Sequence, residues 1–282
     1  MPLRTTILTY HSQNIAGHST ADNDHVALEQ DLEVLHTAGI RIISLATLLD
    51  GIDRNNESED LHDTVCLTFD DGCDFDVRDL DYPGVGLQKS FLGILQGFID
   101  KHGHQAQPDL HATSFVIASD EARRTIDTRS LFGHGWISDD WWQDATGGSL
   151  ISIGNHGWDH NHPDLAGDSV NNDDGEVRGG FHNVDTQAQC DQQVLRSAEF
   201  IQDKTGRWPE FFAYPFGESS KFIRQQFFPL GLENHRCRAA LGTDPGQVTL
   251  NSNRWNLPRF VCGRDWHNSG QLLRICKDQN TG

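Results

Sequence analysis

Short runs of β-forming residues alternate along the chain with stretches in which apolar residues recur at helical spacing. This alternation limits the possible folds most, because it favours parallel strands joined by crossover helices. Two stretches, 25–38 and 185–204, carry the helical spacing. The candidate strands are 6–11, 40–45, 64–70, 112–118, 150–155, 211–215, 238–242 and 259–262. Seven or eight such β/α units predict an α/β fold that closes into a single barrel.

The length of the chain also fits one barrel. Such a barrel commonly takes about 250 residues, and the 282 residues here contain no linker-like segment between two halves. We therefore expect a single domain over 1–282. Two segments rich in Asp and Gly, 73–87 and 167–180, are predicted to be loops. Each comes after a run that carries candidate functional residues, so we expect both at the rim of a cleft.

The acidic composition excludes several classes of partner. The chain has 41 Asp and Glu residues against 22 Lys and Arg, which gives a formal net charge of −19. This charge repels phosphate backbones and anionic headgroups, so nucleic acid and anionic lipid are poor partners. The longest apolar patch, 91–99, is too short to span a bilayer. A neutral or cationic substrate is easier to accommodate.

The N-terminus and the cysteines bear on the cellular compartment. Residues 1–8 lack the apolar stretch and the small-residue cleavage site of a signal peptide, which predicts a cytoplasmic protein. The six cysteines include no CxxC pair, so neither a zinc ribbon nor a thioredoxin-like motif is indicated. Free thiols are expected, with a disulfide between distant cysteines as the alternative. Nothing in the sequence indicates an oligomeric state.

One apolar run ends in two adjacent carboxylates and a glycine, Asp70, Asp71 and Gly72. Successive side chains of a strand point to opposite faces, but a turn at Gly72 can direct both carboxylates toward one site. The carboxyl ends of barrel strands form the active site. The two acids can therefore divide two tasks, one binding a metal and the other accepting a proton. The alternative interpretation is a plain turn.

A second apolar run leads into three histidines, His156, His160 and His162. His156 and His160 are four residues apart, a spacing at which two imidazoles on one helical turn can face a single ion. With a carboxylate from the first run they would complete the usual ligand set of a catalytic zinc. His162 is the alternative ligand or a supporting group. Because the chain has 15 histidines, a chance cluster is the competing interpretation.

Both runs resemble motifs of a known family. The TFDDG run at 68–72 resembles the first motif of the polysaccharide deacetylases, the NodB-homology family. The segment 156–160 resembles their second motif, His-(Ser/Thr)-x-x-His, with Gly157 in place of the hydroxyl residue. The resemblance implies a distorted (β/α) barrel of about seven strands that removes acetyl groups from N-acetylated or O-acetylated sugars. It implies Asp71, His156 and His160 as metal ligands and Asp70 as the general base.

A third, weaker match lies at 212–217, FAYPFG, which resembles the family's Arg-x-Pro-Tyr motif with Ala213 where the arginine should be. That arginine normally steadies the general base, and Arg259 is the best substitute in this chain. The same match makes the backbone N–H of Phe216 the candidate donor to the oxyanion, a role that tolerates a changed side chain. The competing interpretation is a packed aromatic strand that turns at 215–217.

The late Leu-x-His motif that supplies the family's general acid is not visible near the C-terminus. The opening LTYH run at 8–11 instead resembles the start of the poly-N-acetylglucosamine deacetylases, in which the motif order is circularly permuted. That resemblance implies His11 as the general acid. His267 is the alternative acid, and a strand-end histidine without a catalytic role is the competing interpretation of His11.

Taken together, these motifs and the family that they resemble imply a hydrolase that uses a divalent metal ion and acts on a carbohydrate. Zinc is the first choice for an Asp-His-His ligand set, and cobalt, nickel or iron would suit the same ligands. Tryptophans near the second motif are candidates for stacking on a sugar ring, although burial is the commoner reason for an aromatic residue. They are Trp136, Trp141, Trp142 and Trp158. The alternatives are a hydrolase of a non-sugar amide, such as a cyclic ureide or imide, and a carbohydrate-binding relative without catalysis.

Overall fold

The computed structural model describes residues 3–54, 61–145, 150–165 and 178–277. Its strands are β1 (Arg4–Tyr10), β2 (Arg41–Ile42), β3 (His62–Phe69), β4 (Leu80–Tyr82), β5 (Gly86–Gln88), β6 (Ala112–Val116), β7 (Ile151–Asn155), β8 (Phe211–Ala213), β9 (Ala239–Leu241) and β10 (Phe260–Val261). Seven of them run parallel in the order β10-β1-β3-β6-β7-β8-β9, and β2 pairs with β3 near its start. Strands β4 and β5 form a separate antiparallel hairpin.

Helices occupy most of the connections between the parallel strands. They are α1 (Asp24–Thr37), α2 (Leu45–Asp53), α3 (Phe91–His102), α4 (Asp120–Ser130), α5 (Trp142–Ala145), α6 (Gln187–Cys190), α7 (Arg196–Thr205), α8 (Phe228–Leu230), α9 (Leu232–His235) and α10 (Ser269–Lys277). Short π-helical segments, Asp191–Leu195 and Ile223–Phe227, lead into α7 and α8. Single 3-10 turns lie at Asp74–Asp76, His104–Ala106, Phe181–Asn183, Pro215–Gly217 and Arg254–Asn256.

The segment that contains β10 closes the curled sheet into a distorted barrel. At its start, the Leu257 N–H donates to the Ala240 carbonyl and the Gly242 N–H donates to the Leu257 carbonyl, both at 2.9 Å. At its end, the Cys262 N–H donates to the carbonyl of Thr9 at 2.9 Å. The last strand therefore joins β9 to β1, and the predicted barrel fold is confirmed.

Alternate residues of the strands point into the barrel, and this alternation determines which side chains at the carboxyl ends of the strands face its interior. The buried inner cluster includes Ile7, Cys66, Phe115, Ala213 and Leu241. Because side chains two residues apart share a face of a strand, the next inward positions at the carboxyl ends are His11, Asp70 and His156. The opposite face of β1 and β3 packs under α1 and α3 in a second apolar cluster.

Each candidate strand overlaps an observed one, but several are shorter than predicted. The run 40–45 contributes only two strand residues, because the Ser44 hydroxyl accepts the Thr47 N–H at 3.0 Å and begins α2. The helical stretch 185–204 is interrupted by the π-helical segment Asp191–Leu195. The loop prediction for 73–87 is wrong in part, because this segment contains most of the β4–β5 hairpin. Most of the predicted loop 167–180 lies outside the described residues.

Two further predictions concern thiols and membranes. All six cysteines are buried and unpaired, which confirms the expected free thiols. Within the ranges that the structure covers, no helix has the length and apolar character needed to cross a membrane.

We predict that Gly154→Ala destabilises the barrel. A Cβ atom at this position would lie 2.5 Å from Cδ1 of Phe115 and 3.0 Å from Cγ2 of Thr113 inside the barrel. Overpacking of this kind costs about 1–3 kcal/mol in the free energy of unfolding, measured by urea denaturation followed by circular dichroism. The control is Gly270→Ala in α10, where the nearest atom would be 3.4 Å away. Equal stabilities of the two variants would contradict the prediction.

Candidate functional site

A cleft of about 300 Å³ opens at the carboxyl ends of the parallel strands. It is lined by His11, Asp70, Asp71, His156, His160, Phe216, Gly217, Thr243, Val261 and Arg264. A larger cavity of about 540 Å³ lies at the opposite edge of the sheet, beside the first residues of β7 and β8. Of the described residues, only the smaller cleft brings together three side chains able to hold a metal ion. The smaller cleft is therefore the candidate functional site, because of the side chains that it brings together and not because of its volume.

Asp71, His156 and His160 direct their ligand atoms toward one point. Oδ1 of Asp71 lies 3.4 Å from Nε2 of His156 and 3.5 Å from Nε2 of His160. All three ligand atoms lie within 4.8 Å of one another. Two atoms that each bind a divalent ion at about 2.0–2.2 Å lie no more than about 4.4 Å apart, and both separations from Asp71 meet this condition. The donor set of one carboxylate and two imidazoles suits zinc and also cobalt, nickel or iron.

The backbone at two of the candidate ligands adopts the left-handed conformation. Asp71 has φ +76° and is followed by Gly72 at φ +69°, which forms the sharp turn after β3. A Cβ at Gly72 would lie 3.0 Å from the Cα of Val116, so the position also requires close approach to β6. His160 has φ +61°. The predicted helical turn for His156 and His160 is therefore wrong, because an irregular loop brings the two imidazoles together.

The loop that carries both histidines is braced by polar side chains that the sequence analysis did not single out. The Asn155 side-chain oxygen accepts the Gly157 N–H at 2.8 Å and the Ser197 hydroxyl at 2.7 Å. Asp159 accepts the Gln193 side-chain amide at 2.6 Å. These bonds hold the loop that lacks the expected hydroxyl at Gly157. A polar Asn155 at the end of an apolar strand was the available signal.

The imidazole of His156 is oriented by a main-chain carbonyl. Its Nδ1 lies 2.9 Å from the oxygen of Ala213. Because a carbonyl only accepts, Nδ1 carries the proton and Nε2 presents its lone pair to the cluster. Burial would lower the pKa of His156, but the charges of Asp70 and Asp71 raise it above its ordinary value. Burial lowers the pKa of His160 to about 3 against the opposing charge of Asp71.

Asp71 has a partner that the sequence analysis missed. The side-chain amide of Gln13 donates to Oδ2 of Asp71, which leaves Oδ1 directed at the two imidazoles. Burial would raise the pKa of Asp71, but His156 and His160 hold it well below its usual value. The carboxylate is therefore ionised and fixed before any ligand arrives. Its place two residues after His11 was the only sequence signal for Gln13.

Asp70 forms a bidentate ion pair with Arg259 deep in the barrel. Nη1 and Nη2 of Arg259 each lie 2.8 Å from one oxygen of Asp70. The same guanidinium donates through Nε to the carbonyl of Gly242 at 2.8 Å and through Nη1 to the hydroxyl of Thr68 at 3.3 Å. Burial would raise the pKa of Asp70, but the charge of Arg259 holds it below its usual value. Asp70 is therefore a carboxylate at neutral pH.

The remaining candidates divide into two groups. His11 and Phe216 line the cleft, and Nδ1 of His11 is buried without a hydrogen-bond partner among the described residues. Phe216 has φ +58°, and its ring meets the edge of His160 at 4.4 Å. His162 instead accepts the Asp164 N–H at 3.3 Å outside the cleft lining, and His267 is exposed elsewhere. The structure thus does not bring the two alternative histidines to the site.

The four candidate tryptophans lie in different surroundings. Trp141 and Trp142 are buried in the core. The guanidinium of Arg196 lies over Trp158 at 3.6 Å. Trp136 is half-buried in the turn after α4. None of them lines the cleft.

Comparison with known sequences gives one family match. A family model described as polysaccharide deacetylase matches residues 57–235. The matched range contains Asp70, Asp71, His156 and His160, whereas His11 and Arg259 lie outside it. No curated protein sequence matches the chain.

Comparison with solved structures gives similar folds at low sequence identity. The Streptococcus pyogenes deacetylase PplD in complex with acetate is 16% identical, with a TM-score of 0.63 over 98% of this chain and 99% of that one. A de-N-acetylase from Aggregatibacter actinomycetemcomitans is 12% identical, with a TM-score of 0.61 over 96% and 99% of the two chains. IcaB from Ammonifex degensii is 17% identical, with a TM-score of 0.60 over 97% of each. These likenesses extend to nearly the whole barrel.

We predict that Arg259→Leu lowers the free energy of unfolding by about 3–5 kcal/mol at pH 7, the scale for removing one partner of a buried ion pair. In the wild type, the lowered pKa of Asp70 means that the pair stabilises at neutral pH and loses its effect as the pH falls through that pKa. In the variant, the charge of Arg259 no longer opposes burial, so the pKa of Asp70 rises and protonation relieves the charge that has lost its partner.

The difference between the two proteins should therefore shrink between pH 7 and pH 4, measured by urea denaturation. The double variant with Asp70→Asn is the control, because it removes the charge as well as its partner. A loss of stability that is as large at pH 4 as at pH 7 would show that packing, not charge, gives the effect.

Proposed function

Because the chain belongs to the polysaccharide deacetylase family, we propose that it uses a divalent metal ion to hydrolyse an acetyl group from an N-acetylated or O-acetylated carbohydrate. The observation that carries this proposal is the convergence of Asp71, His156 and His160 beside the ionised Asp70 in one cleft. The acetate in the PplD structure and the description of a second similar protein as a de-N-acetylase support acetyl as the group removed.

The ligand set fits a resident divalent ion. Asp71, His156 and His160 would hold it, since their ligand atoms converge on one point and hydrogen bonds with Gln13 and Ala213 orient Asp71 and His156. When bound, such an ion supplies Lewis acidity that polarises a carbonyl and lowers the pKa of water. We propose zinc first and cobalt, nickel or iron as substitutes.

Asp70 is the proposed general base. Its carboxylate lines the cleft, and although Arg259 binds both oxygens, each oxygen keeps a second lone pair that can take a proton from the attacking water. The ion pair keeps Asp70 charged but also makes it a weaker base than a free carboxylate. Arg259 thus fixes the direction of Asp70, as the arginine expected at Ala213 would have done.

Phe216 and His11 are the proposed electrophilic and acidic groups. Within the described ranges, no backbone hydrogen bond uses the Phe216 N–H, which leaves it available to an oxyanion in the cleft. The ring of His11 lines the same cleft and has an unpartnered nitrogen. An amide nitrogen must be protonated before it leaves, and His11 would supply that proton.

The direct test is acetate release from N-acetylglucosamine oligomers, with metal content measured on the same samples. We expect Asp71→Ala and His156→Ala to lose both metal and activity, and Asp70→Asn to keep metal while turnover falls by about 100-fold or more. His162→Ala is the matched control and should keep both. Tight stoichiometric metal in Asp71→Ala would refute the ligand set.

Hydrolysis of allantoin but of no acetylated sugar would favour a non-sugar amide as substrate.

A separate prediction concerns His11. If it is the acid, His11→Ala should keep its metal and lose amide hydrolysis far more than aryl-ester hydrolysis, because a good leaving group needs little proton donation. The measurement compares kcat for an acetamido sugar and an aryl acetate, with His267→Ala as the control. An equal loss on both substrates would give His11 a structural role, and a selective amide defect in His267→Ala would transfer the acid role there.

A further inference from the structure

Four aromatic side chains form an open cluster on the carboxyl-end face of the barrel. They are Tyr82, Phe132, His134 and Trp136, which we call the aromatic rim. Tyr82 ends β4, and the other three lie in the turn after α4. The rings of His134 and Trp136 stack at a centroid distance of 4.3 Å, and Phe132 meets Tyr82 at 5.8 Å.

The aromatic rim is accessible to solvent. The side chain of Phe132 is 62% exposed, and Leu87 in the adjoining β5 is 71% exposed. His134 is exposed, whereas Tyr82 and Trp136 are half-buried. Large apolar groups that stay together at a surface commonly mark a binding site.

A buried carboxylate fixes the turn that carries three of these rings. Oδ2 of Asp127 accepts the Gly135 N–H at 2.9 Å, and Oδ1 accepts the Trp136 N–H at 2.8 Å. The main-chain oxygen of Asp127 accepts the N–H of Gly133 at 3.1 Å. Phe132 itself has φ +61°, an unusual conformation for an aromatic residue. The main chain that carries the rings is therefore held in place before any ligand binds, which lowers the entropic cost of binding.

The aromatic rim is joined directly to the segment that follows the metal ligand Asp71. The carbonyl of Trp136 accepts the Asp74 N–H at 2.7 Å and the thiol of Cys73 at 3.1 Å. The Asp74 carboxylate accepts the N–H of Ser138 at 2.8 Å. The cleft residue Asp71 is therefore only three positions in the chain from Asp74, which is hydrogen-bonded to the rim.

We propose that the aromatic rim is a second binding site for the substrate polysaccharide, where an uncharged stretch of the glycan packs against the rings while another sugar enters the cleft. This inference rests on the proposed function, because it takes the substrate to be a polymer. The C–H face of a pyranose ring is apolar and matches an aromatic face, while the ring edges leave the sugar hydroxyls in water.

The charge of the chain favours this ligand over others. A net charge of −19 opposes nucleic acid and anionic lipid. A neutral acetylated glycan meets no such repulsion, and the amine left by removal of an N-acetyl group is cationic. A second copy of the chain is a poorer occupant, because a stable protein interface needs about 800 Å² per partner, and the rim offers four side chains.

The test uses glycol chitin, a soluble N-acetylglucosamine polymer, in native affinity gels at increasing polymer concentration. We expect the double variant with Phe132→Ala and His134→Ala to be retarded less, with a dissociation constant for glycol chitin that is about ten-fold higher than that of the wild type. The variant should also raise KM on the polymer while kcat on a short N-acetylglucosamine oligomer stays unchanged. The matched control is Leu230→Ala, which removes an apolar side chain that is 82% exposed and has no part in the aromatic rim.

Each other outcome overturns the proposal. Unchanged retardation would mean that the rim does not bind the polymer, and an equal loss on polymer and short oligomer would mean that it only supports the cleft. A change in sedimentation without a change in retardation would assign the surface to self-association. Retardation needs no turnover, so a wild type that binds polymer and releases no acetate refutes the proposed function but not the rim.

Discussion

The ion pair between Asp70 and Arg259 is the interaction on which the site depends. A bidentate carboxylate–guanidinium pair inside a barrel is costly to bury and is tolerated only when its remaining hydrogen bonds are satisfied. Here the carbonyl of Gly242 and the hydroxyl of Thr68 satisfy them. Arg259 belongs to the segment that joins β9 to β1. The same segment therefore closes the barrel and orients the proposed base.

The same region shows how a motif residue can move without losing its role. At Ala213, where the family resemblance leads one to expect an arginine, the side chain is too small to reach any carboxylate, but the backbone carbonyl holds His156. The guanidinium comes instead from Arg259, immediately before β10, which is far away in sequence and adjacent in the closed barrel. What the geometry requires is a cation beside Asp70, and its origin along the chain is free to vary.

Sequence alone predicted the barrel and placed the proposed ligands at two strand ends, because both inferences depend on local patterns. An apolar run that ends in Asp70 and Asp71 can be recognised without a structure. Contacts between distant segments cannot be recognised in this way, and so the sequence did not predict the roles of Gln13 and Asn155. The helical interpretation of His156 and His160 failed because spacing cannot reveal a left-handed residue such as His160, whose φ of +61° bends the loop.

The wide separation of Asp70 and Arg259 also has a consequence for synthesis on the ribosome. The two residues are 189 positions apart, so at about 5–20 residues per second the carboxylate is synthesised about 10–40 seconds before its partner. Throughout that interval the inner face of β3 must stay hydrated near Asp70, because burying an unpaired carboxylate is costly. The nascent chain therefore cannot complete its core from the N-terminus onward, and final consolidation must wait for the last strand.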